Sequence, residues 1–112
     1  MYNYFMLIGK VLNDIELKEF EGGKKMVNLF LSVLRPFKNF EGKYESDCLN
    51  VSLWSFLAEA AIDKIKKGKR VAVKGRIAER VIEHEDGTTT HTFDLIGDKL
   101  MVLDEYDTQI EG

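Results

Sequence analysis

The residues best suited to chemistry in this chain are cations and aromatic rings in alternation. Between positions 35 and 46, Arg35, Lys38 and Lys43 interleave with Phe37, Phe40 and Tyr44. A single nucleic-acid strand alternates phosphates and bases, so such an arm suits it: cations neutralise phosphates and rings accept bases. The simpler reading folds the rings back onto a core, and one of the three is expected to do so. A second cluster lies on an alternating segment, Arg70–Ile82. Its even positions are Arg70, Ala72, Lys74, Arg76, Ala78, Arg80 and Ile82, four of them cationic. That face can lie under a polyanion, or it can be the solvated side of an outer strand. A third face comes from Asp47–Trp54, where Leu49, Val51 and Leu53 point one way and Cys48, Asn50, Ser52 and Trp54 the other. A tryptophan on the polar side of a strand needs a purpose. Either a loop or an oligomer partner covers it, or it is a stacking platform worth about 1–3 kcal/mol per base.

Catalytic and metal-binding patterns have no comparable support. His84 and His91 lie far from Cys48 in sequence, and no phosphate loop, nucleophile elbow or HExxH occurs. Both histidines read as hairpin surface, and Glu83-His84-Glu85-Asp86 as a solvated turn. No catalytic residue, metal or cofactor is expected.

Composition bounds the answer further. At 112 residues, 45% of them hydrophobic, the chain makes one domain with a packed core. Met1–Leu12 is apolar but lacks the basic start and cleavage site of a signal peptide. No run of about 18 apolar residues exists, so no membrane partner is expected. The single Cys48 excludes an internal disulfide and fits a reducing, cytoplasmic compartment. The net charge of −3 argues against a globally basic binder. The last nine residues hold four acids and no base; without them sixteen bases face fifteen acids. Any polyanion site is therefore a local patch.

The elements that must position these residues follow from periodicity. Residues 2–12 read as a strand with Gly9 a bulge or a close backbone approach. A short extended piece lies at 16–20, and 21–24 (Glu-Gly-Gly-Lys) is a turn. Residues 25–34 alternate, with Val27, Leu29, Leu31 and Val33 on one face and Asn28, Phe30 and Ser32 on the other. Residues 35–46 read as a loop. Residues 56–67 are the one helix: Leu57, Ala58, Ala61, Ile62 and Ile65 form its stripe, Ser55 its cap and Gly68 its C′ residue. After the strand at 70–82, Asp86-Gly87 marks a hairpin. Strands at 91–96 and 99–103 complete the chain. Three strands, a helix and two hairpin-linked strands make an all-β, five-stranded Greek-key barrel with a helix between strands 3 and 4, the OB-fold arrangement.

Over about residues 1–103 the chain resembles the bacterial single-stranded DNA-binding protein (SSB) family. The resemblance rests on Asn3 with Leu7-Ile8-Gly9-Lys10, the Asp14–Leu17 piece, Arg35-Pro36-Phe37-Lys38-Asn39 before Gly42, and Asp47-Cys48-Leu49-Asn50. Leu53-Trp54, Leu57-Ala58-Glu59, Lys67-Gly68, the run Val71–Ile77 and Asp86-Gly87 continue it. It implies an OB-fold domain over 1–103, followed by a short acidic tail at 104–112. It also implies sequence-independent binding and protection of single-stranded DNA in replication, recombination or repair. A homotetramer built from dimers paired through their first strands is implied too, with a dimer as the alternative, at a cytoplasmic, nucleoid-associated location. Family stacking positions fall at Phe37, Cys48, Trp54 and Ile82, two of which are not aromatic here. The binding set is then Arg35, Phe37, Lys38, Lys43, Asn50, Trp54, Lys74, Arg76, Arg80 and Ile82. Lys74, Arg76 and Arg80 are expected to carry a larger share than usual, making binding unusually salt-sensitive. The chain ends without the apolar-proline-aromatic tip that recruits other proteins in the family's replicative members, so tail-mediated recruitment is not expected. The competing reading keeps the barrel and makes it a primosomal-type adaptor acting mainly through protein contacts.

Overall fold

The computed structural model describes residues 2–103, so the acidic segment 104–112 lies outside the described residues. The elements are β1 (Phe5–Val11), β2 (Lys18–Glu19), β3 (Lys25–Lys38), β4 (Tyr44–Trp54), α1 (Phe56–Lys64), β5 (Arg70–Glu83) and β6 (Thr89–Val102).

One local rule builds three of the turns. In Phe20–Lys24, Asn39–Lys43 and His84–Thr88, the first residue's N–H donates to the fifth residue's carbonyl, at 2.8, 2.7 and 2.9 Å. The fourth residue's N–H donates back to the first carbonyl, and that residue is always glycine with positive φ: Gly23 (80°), Gly42 (76°) and Gly87 (86°). This is a three-residue hairpin loop whose last position is left-handed, which favours glycine over any residue with a Cβ. Side chains reinforce two of the loops. The Asn39 Oδ1 accepts from the Glu41 and Lys43 N–H groups, and the Asp86 carboxylate accepts from the Thr88 N–H and hydroxyl.

The hairpins assemble into a barrel in the order β1-β5-β6-β4-β3, with β2 as a short flap on β3. Two short contacts complete the ring. β4 and β6 pair in parallel at Val51↔Leu95 and Ser52↔Ile96, and β1 returns to β3 at Lys10↔Ser32 and Val11↔Leu31. Alternation sends Val27, Leu29, Leu31, Val51, Leu53, Val71 and Val73 into the core, where Val11, Ala58, Ala61 and Ile65 join them. The OB-fold expectation holds. α1 rests on β3, β4 and β6, and the Lys25 ammonium binds Glu59 on it at 2.6 Å.

Several boundaries differ from the sequence reading. The expected loop at 35–46 is mostly strand, because β3 and β4 continue as a hairpin and only 39–43 turn. Pro36 lacks an N–H for the ladder, and it sits where the register shifts between Leu34 and Lys38. α1 ends at Lys64, three residues early, and Gly68 (φ 92°) serves the following turn, where its N–H donates to the Val11 carbonyl at 2.8 Å. Ser55 provides no side-chain cap; its backbone is left-handed (φ 57°) and its carbonyl accepts the Glu59 N–H at 3.1 Å. The two last strands are one, β6.

Glycines mark where strands crowd. A Cβ on Gly9 would lie 2.6 Å from the Ser32 carbonyl oxygen, which makes Gly9 the close approach and not a bulge. A Cβ on Gly75 would drive into the Ile96 backbone. Gly75→Ala is therefore expected to cost about 1–3 kcal/mol or more. A urea melt of that variant with an unchanged midpoint would contradict this packing.

Candidate nucleic-acid interface

The outward faces of β3 and β4 form paired rows. Trp54 pairs with Met26, Ser52 with Asn28, Asn50 with Phe30, and Cys48 with Ser32. Ser52 also pairs with Ile96 on β6, which pairs with Arg76 on β5. Asn28, Ser52, Ile96 and Arg76 thus form one outward row across four strands. The fold brings Asn50, Trp54 and Arg76 onto one continuous wall, as a stacking and phosphate-binding surface requires.

Trp54 is 38% exposed. The Phe20 ring, carried by the β2–β3 hairpin, lies 5.8 Å from it, centroid to centroid, at 36°. That tilted contact steadies the indole while leaving part of its surface open. Phe20 is absent from the sequence-derived set; its only signal there is an apolar ring beside a turn.

The arm residues are organised by the β3–β4 hairpin, which beyond Leu34↔Ser46 resumes pairing only at Lys38↔Tyr44. Phe37, Phe40 and Tyr44 are all exposed, so the expectation that one folds back onto the core fails. The hairpin holds them away from the barrel. The Lys38 ammonium lies 5.8 Å from the Tyr44 ring centre. Arg35 is committed elsewhere. Its Nη2 and Nε bind the Asp47 carboxylate at 2.7 and 3.1 Å, and its Nη1 binds Glu45 at 2.9 Å. Asn39 holds the other Glu45 oxygen at 2.9 Å.

The β5 cations separate. Lys74 shares a row with Met6 and Lys99 further round the barrel, 5.6 Å from the Tyr4 ring. Arg80 binds Asp94 at 3.2 Å. Among the described residues, Arg76 makes no ion pair. Beyond Phe5↔Gly75 no other strand among the described residues flanks β5; the Asn3 amide bridges the Ile77 N–H and carbonyl, and past it the hairpin becomes a two-stranded ribbon. Ile82 lies on this ribbon opposite Thr90, beside the His84–Thr90 contact. Glu79 and Val81 would face a core had the barrel continued; here they are exposed. His84 and His91 are exposed too, and His91 lies 3.6 Å from Glu79. No group of three or more metal-ligating side chains occurs among the described residues.

Residues 2–103 match the Single-strand binding protein family. The chain belongs to that family. It is 34% identical over 104 residues to Single-stranded DNA-binding protein B of Bacillus subtilis strain 168, covering 93% of this chain and 92% of the relative. It is 33% identical to the Single-stranded DNA-binding protein of Oceanobacillus iheyensis over 97% of this chain and 68% of that one. To Single-stranded DNA-binding protein 1 of Streptococcus pyogenes serotype M18 it is 31% identical over 107 residues, 82% of that relative. The single-strand binding family is one of binding proteins and not enzymes, and the chain is no enzyme.

Electrostatics limits which cations of this family member are free. Hydrogen bonding from Arg35 holds the Asp47 carboxyl below its ordinary range, and Asp47 raises the Arg35 guanidinium in return. The folded Asp47 pKa is depressed, so the pair's contribution is present above the ordinary carboxylate range. It is lost as pH falls through the lower folded value. An exposed pair contributes little to overall stability; its consequences are to bias the local register of the hairpin and to occupy Arg35. In a carbon-detected NMR titration, Arg35→Gln should return the Asp47 carboxyl upward toward its ordinary range. An unmoved titration would mean that Arg35 is not its partner in solution.

Proposed function

We propose that this protein binds and protects single-stranded DNA without sequence preference, serving replication, recombination or repair in the cytoplasm beside the nucleoid. The observation that carries the reading is the outward wall of β3, β4, β6 and β5. It places a braced, part-exposed indole on the same surface as Arg76, which makes no ion pair among the described residues. Every base offers a π-face, so a ring holds any sequence, while cations draw the phosphates. Trp54 is the stacking platform, and Asn50 offers its amide to base edges. Arg76, Lys38 and Lys43 supply positive charge, Lys74 lying round the barrel on the β1 face, and Phe37 extends the aromatic track onto the arm. Arg35 and Arg80 act mainly through their carboxylate partners, shaping the arm and the ribbon. Ile82 gives an apolar contact without stacking.

Binding to poly(dT) should quench Trp54 fluorescence, and Trp54→Ala should weaken it by about 5- to 150-fold, the loss of one stacked base. His84→Ala should leave it unchanged. With about four phosphates neutralised, log K should fall by roughly three per decade of salt. No quenching at low salt would overturn the proposal. The pairing of Arg35 and Arg80 with carboxylates favours one other reading, an OB-fold adaptor with weak strand affinity, and the same titration separates the two.

The protein is also proposed to be a homo-oligomer, a homotetramer assembled from two dimers, each paired through β1. Along Phe5–Gly9, β1 is paired among the described residues on one edge, with β5. Its outward side chains Met6 and Ile8, with Tyr4 just before it, are exposed on the same face as Met101. A groove of about 450 Å3, lined by Met6, Ala72, Lys74, Leu100 and Met101, runs along this face. An apolar surface beside an open strand edge is the pattern of a protein interface. Native mass spectrometry should find four copies, and Ile8→Glu should lower that number. A monomer at every concentration would refute the assembly.

A further inference from the structure

On the outward face of β3 and β4, Phe30 interrupts the polar stretch that lies between the Met26–Trp54 pair and Leu34. Asn28, Ser32, Asn50 and Ser52 carry amides and hydroxyls, and Cys48 is small. Phe30 stands among them, paired with Asn50 and 37% exposed. Its ring adds nothing to the core, which β3 fills with Val27, Leu29 and Leu31 from the opposite face. The backbone beneath it is pinned. The Phe30 N–H donates to the Asn13 Oδ1 at 3.0 Å, and the Phe30 carbonyl accepts the Leu12 N–H at 2.8 Å. The Asn13 Nδ2 donates to the neighbouring Asn28 carbonyl at 3.0 Å. A groove of about 220 Å3 opens beside the ring, lined by Asn13, Asp14, Glu16, Lys18, Asn28 and Phe30. A part-exposed ring on a rigid backbone, edged by amides and a groove, is what a flat π-surface with polar edges would recognise.

We propose that Phe30 is a second base-stacking platform, holding a different nucleobase of the strand from the one on Trp54. The assignment rests on the strand-binding function proposed above. Phe30 and Met26, which pairs with Trp54, are four residues apart on β3, about 13 Å at strand rise. That is roughly four stacking steps of 3.4 Å, too far for the two rings to sandwich one base. Asn28 and Ser52 lie between them and leave room for intervening nucleotides over a polar row. The groove sets two carboxylates, Asp14 and Glu16, against the single Lys18 ammonium, so this edge is net negative and the backbone is directed to the opposite side, toward the Arg76 row, with its bases turned to Phe30.

Two measurements test this. In the first, Phe30→Leu and Phe30→Ala are titrated with poly(dT). Each should lose about 5- to 150-fold in affinity, as expected for one stacked base. The salt slope should stay unchanged, because a ring releases no counterions. Leucine keeps the apolar volume, so its thermal melt should match the parent's, separating a lost π-surface from lost packing. Sites this far apart act independently, so the Phe30→Leu and Trp54→Ala losses should multiply in the double variant. In the second, Phe30→Trp is made in a Trp54→Phe background, giving one reporter at position 30 whose fluorescence should fall when poly(dT) binds. Parent-like affinity of Phe30→Leu, or a position-30 reporter that stays bright while the strand binds, would overturn this assignment alone. A parent protein that fails to bind poly(dT) would overturn the strand-binding function and this assignment with it.

Discussion

Gly75 and Gly97 face one another across the β5–β6 ladder, with no space for a Cβ on either. At Gly75 an added carbon would strike the Ile96 backbone, and at Gly97 it would come within 2.5 Å of Leu53 Cδ2. This close approach lets β5 and β6 bend around the core while β6 still reaches β4. It also sits beside a register shift: Lys74 pairs with Lys99 and Gly75 with Gly97, leaving Asp98 as the extra residue. One extra residue in one strand increases twist and bends the ladder. Without that bend, β6 would not meet β4 at Leu95 and Ile96, and Arg76 would not stand in the row that leads to Ser52 and Asn28.

The same bulge explains what the sequence hid. Inward positions in β6 are Leu95 and Gly97 before Asp98, then Leu100 and Val102 after it. The period of two changes phase at the bulge, so pattern reading finds two short strands in place of one. Pro36 and the shifted register around it likewise made a strand resemble a loop. Conversely, wherever alternation ran unbroken, as in Val27–Leu31, Leu49–Leu53 and Val71–Val73, the inward and outward faces were legible in advance. Topology required only the helix position and the turn glycines. The site was less legible than the fold. Which outward faces share a wall is set by strand neighbours, and the parallel β4–β6 contact spans just two residue pairs that no local pattern announces. Phe20 became relevant only when the β2–β3 hairpin brought it against Trp54.

Overhang matters as much as closure. The β5–β6 ribbon and the β3–β4 arm extend past the barrel, and each is held by its own turn and by cross-strand pairs. A lone two-stranded hairpin is marginal in water, so the Arg80–Asp94 and Arg35–Asp47–Glu45 pairs have a structural use there. They hold register where there is no core to do so. The exposed faces of these extensions can then adapt to a flexible ligand without cost to the barrel, because their opening does not disturb buried contacts.

That structural use changes the electrostatic expectation. An arginine already held by a carboxylate gains little from a phosphate, because the new contact must replace hydrogen bonds of similar strength. Of the basic positions read from sequence as phosphate contacts, Arg35 and Arg80 are engaged in this way. Lys74 is turned toward Tyr4, round the barrel from Trp54. Fewer unpaired cations release fewer counterions, so the salt dependence should be ordinary and not steep, contrary to the reading from charge pattern alone. In a chain of net charge −3, more of the attraction must come from contacts that salt does not screen. Those are rings and amides, and the wall bearing Trp54, Asn50 and Asn28 is where the fold concentrates them. The two properties have one origin: carboxylates that hold the overhanging hairpins in shape also occupy the guanidinium groups, so in the proposed site aromatic surface is the main means of holding a strand.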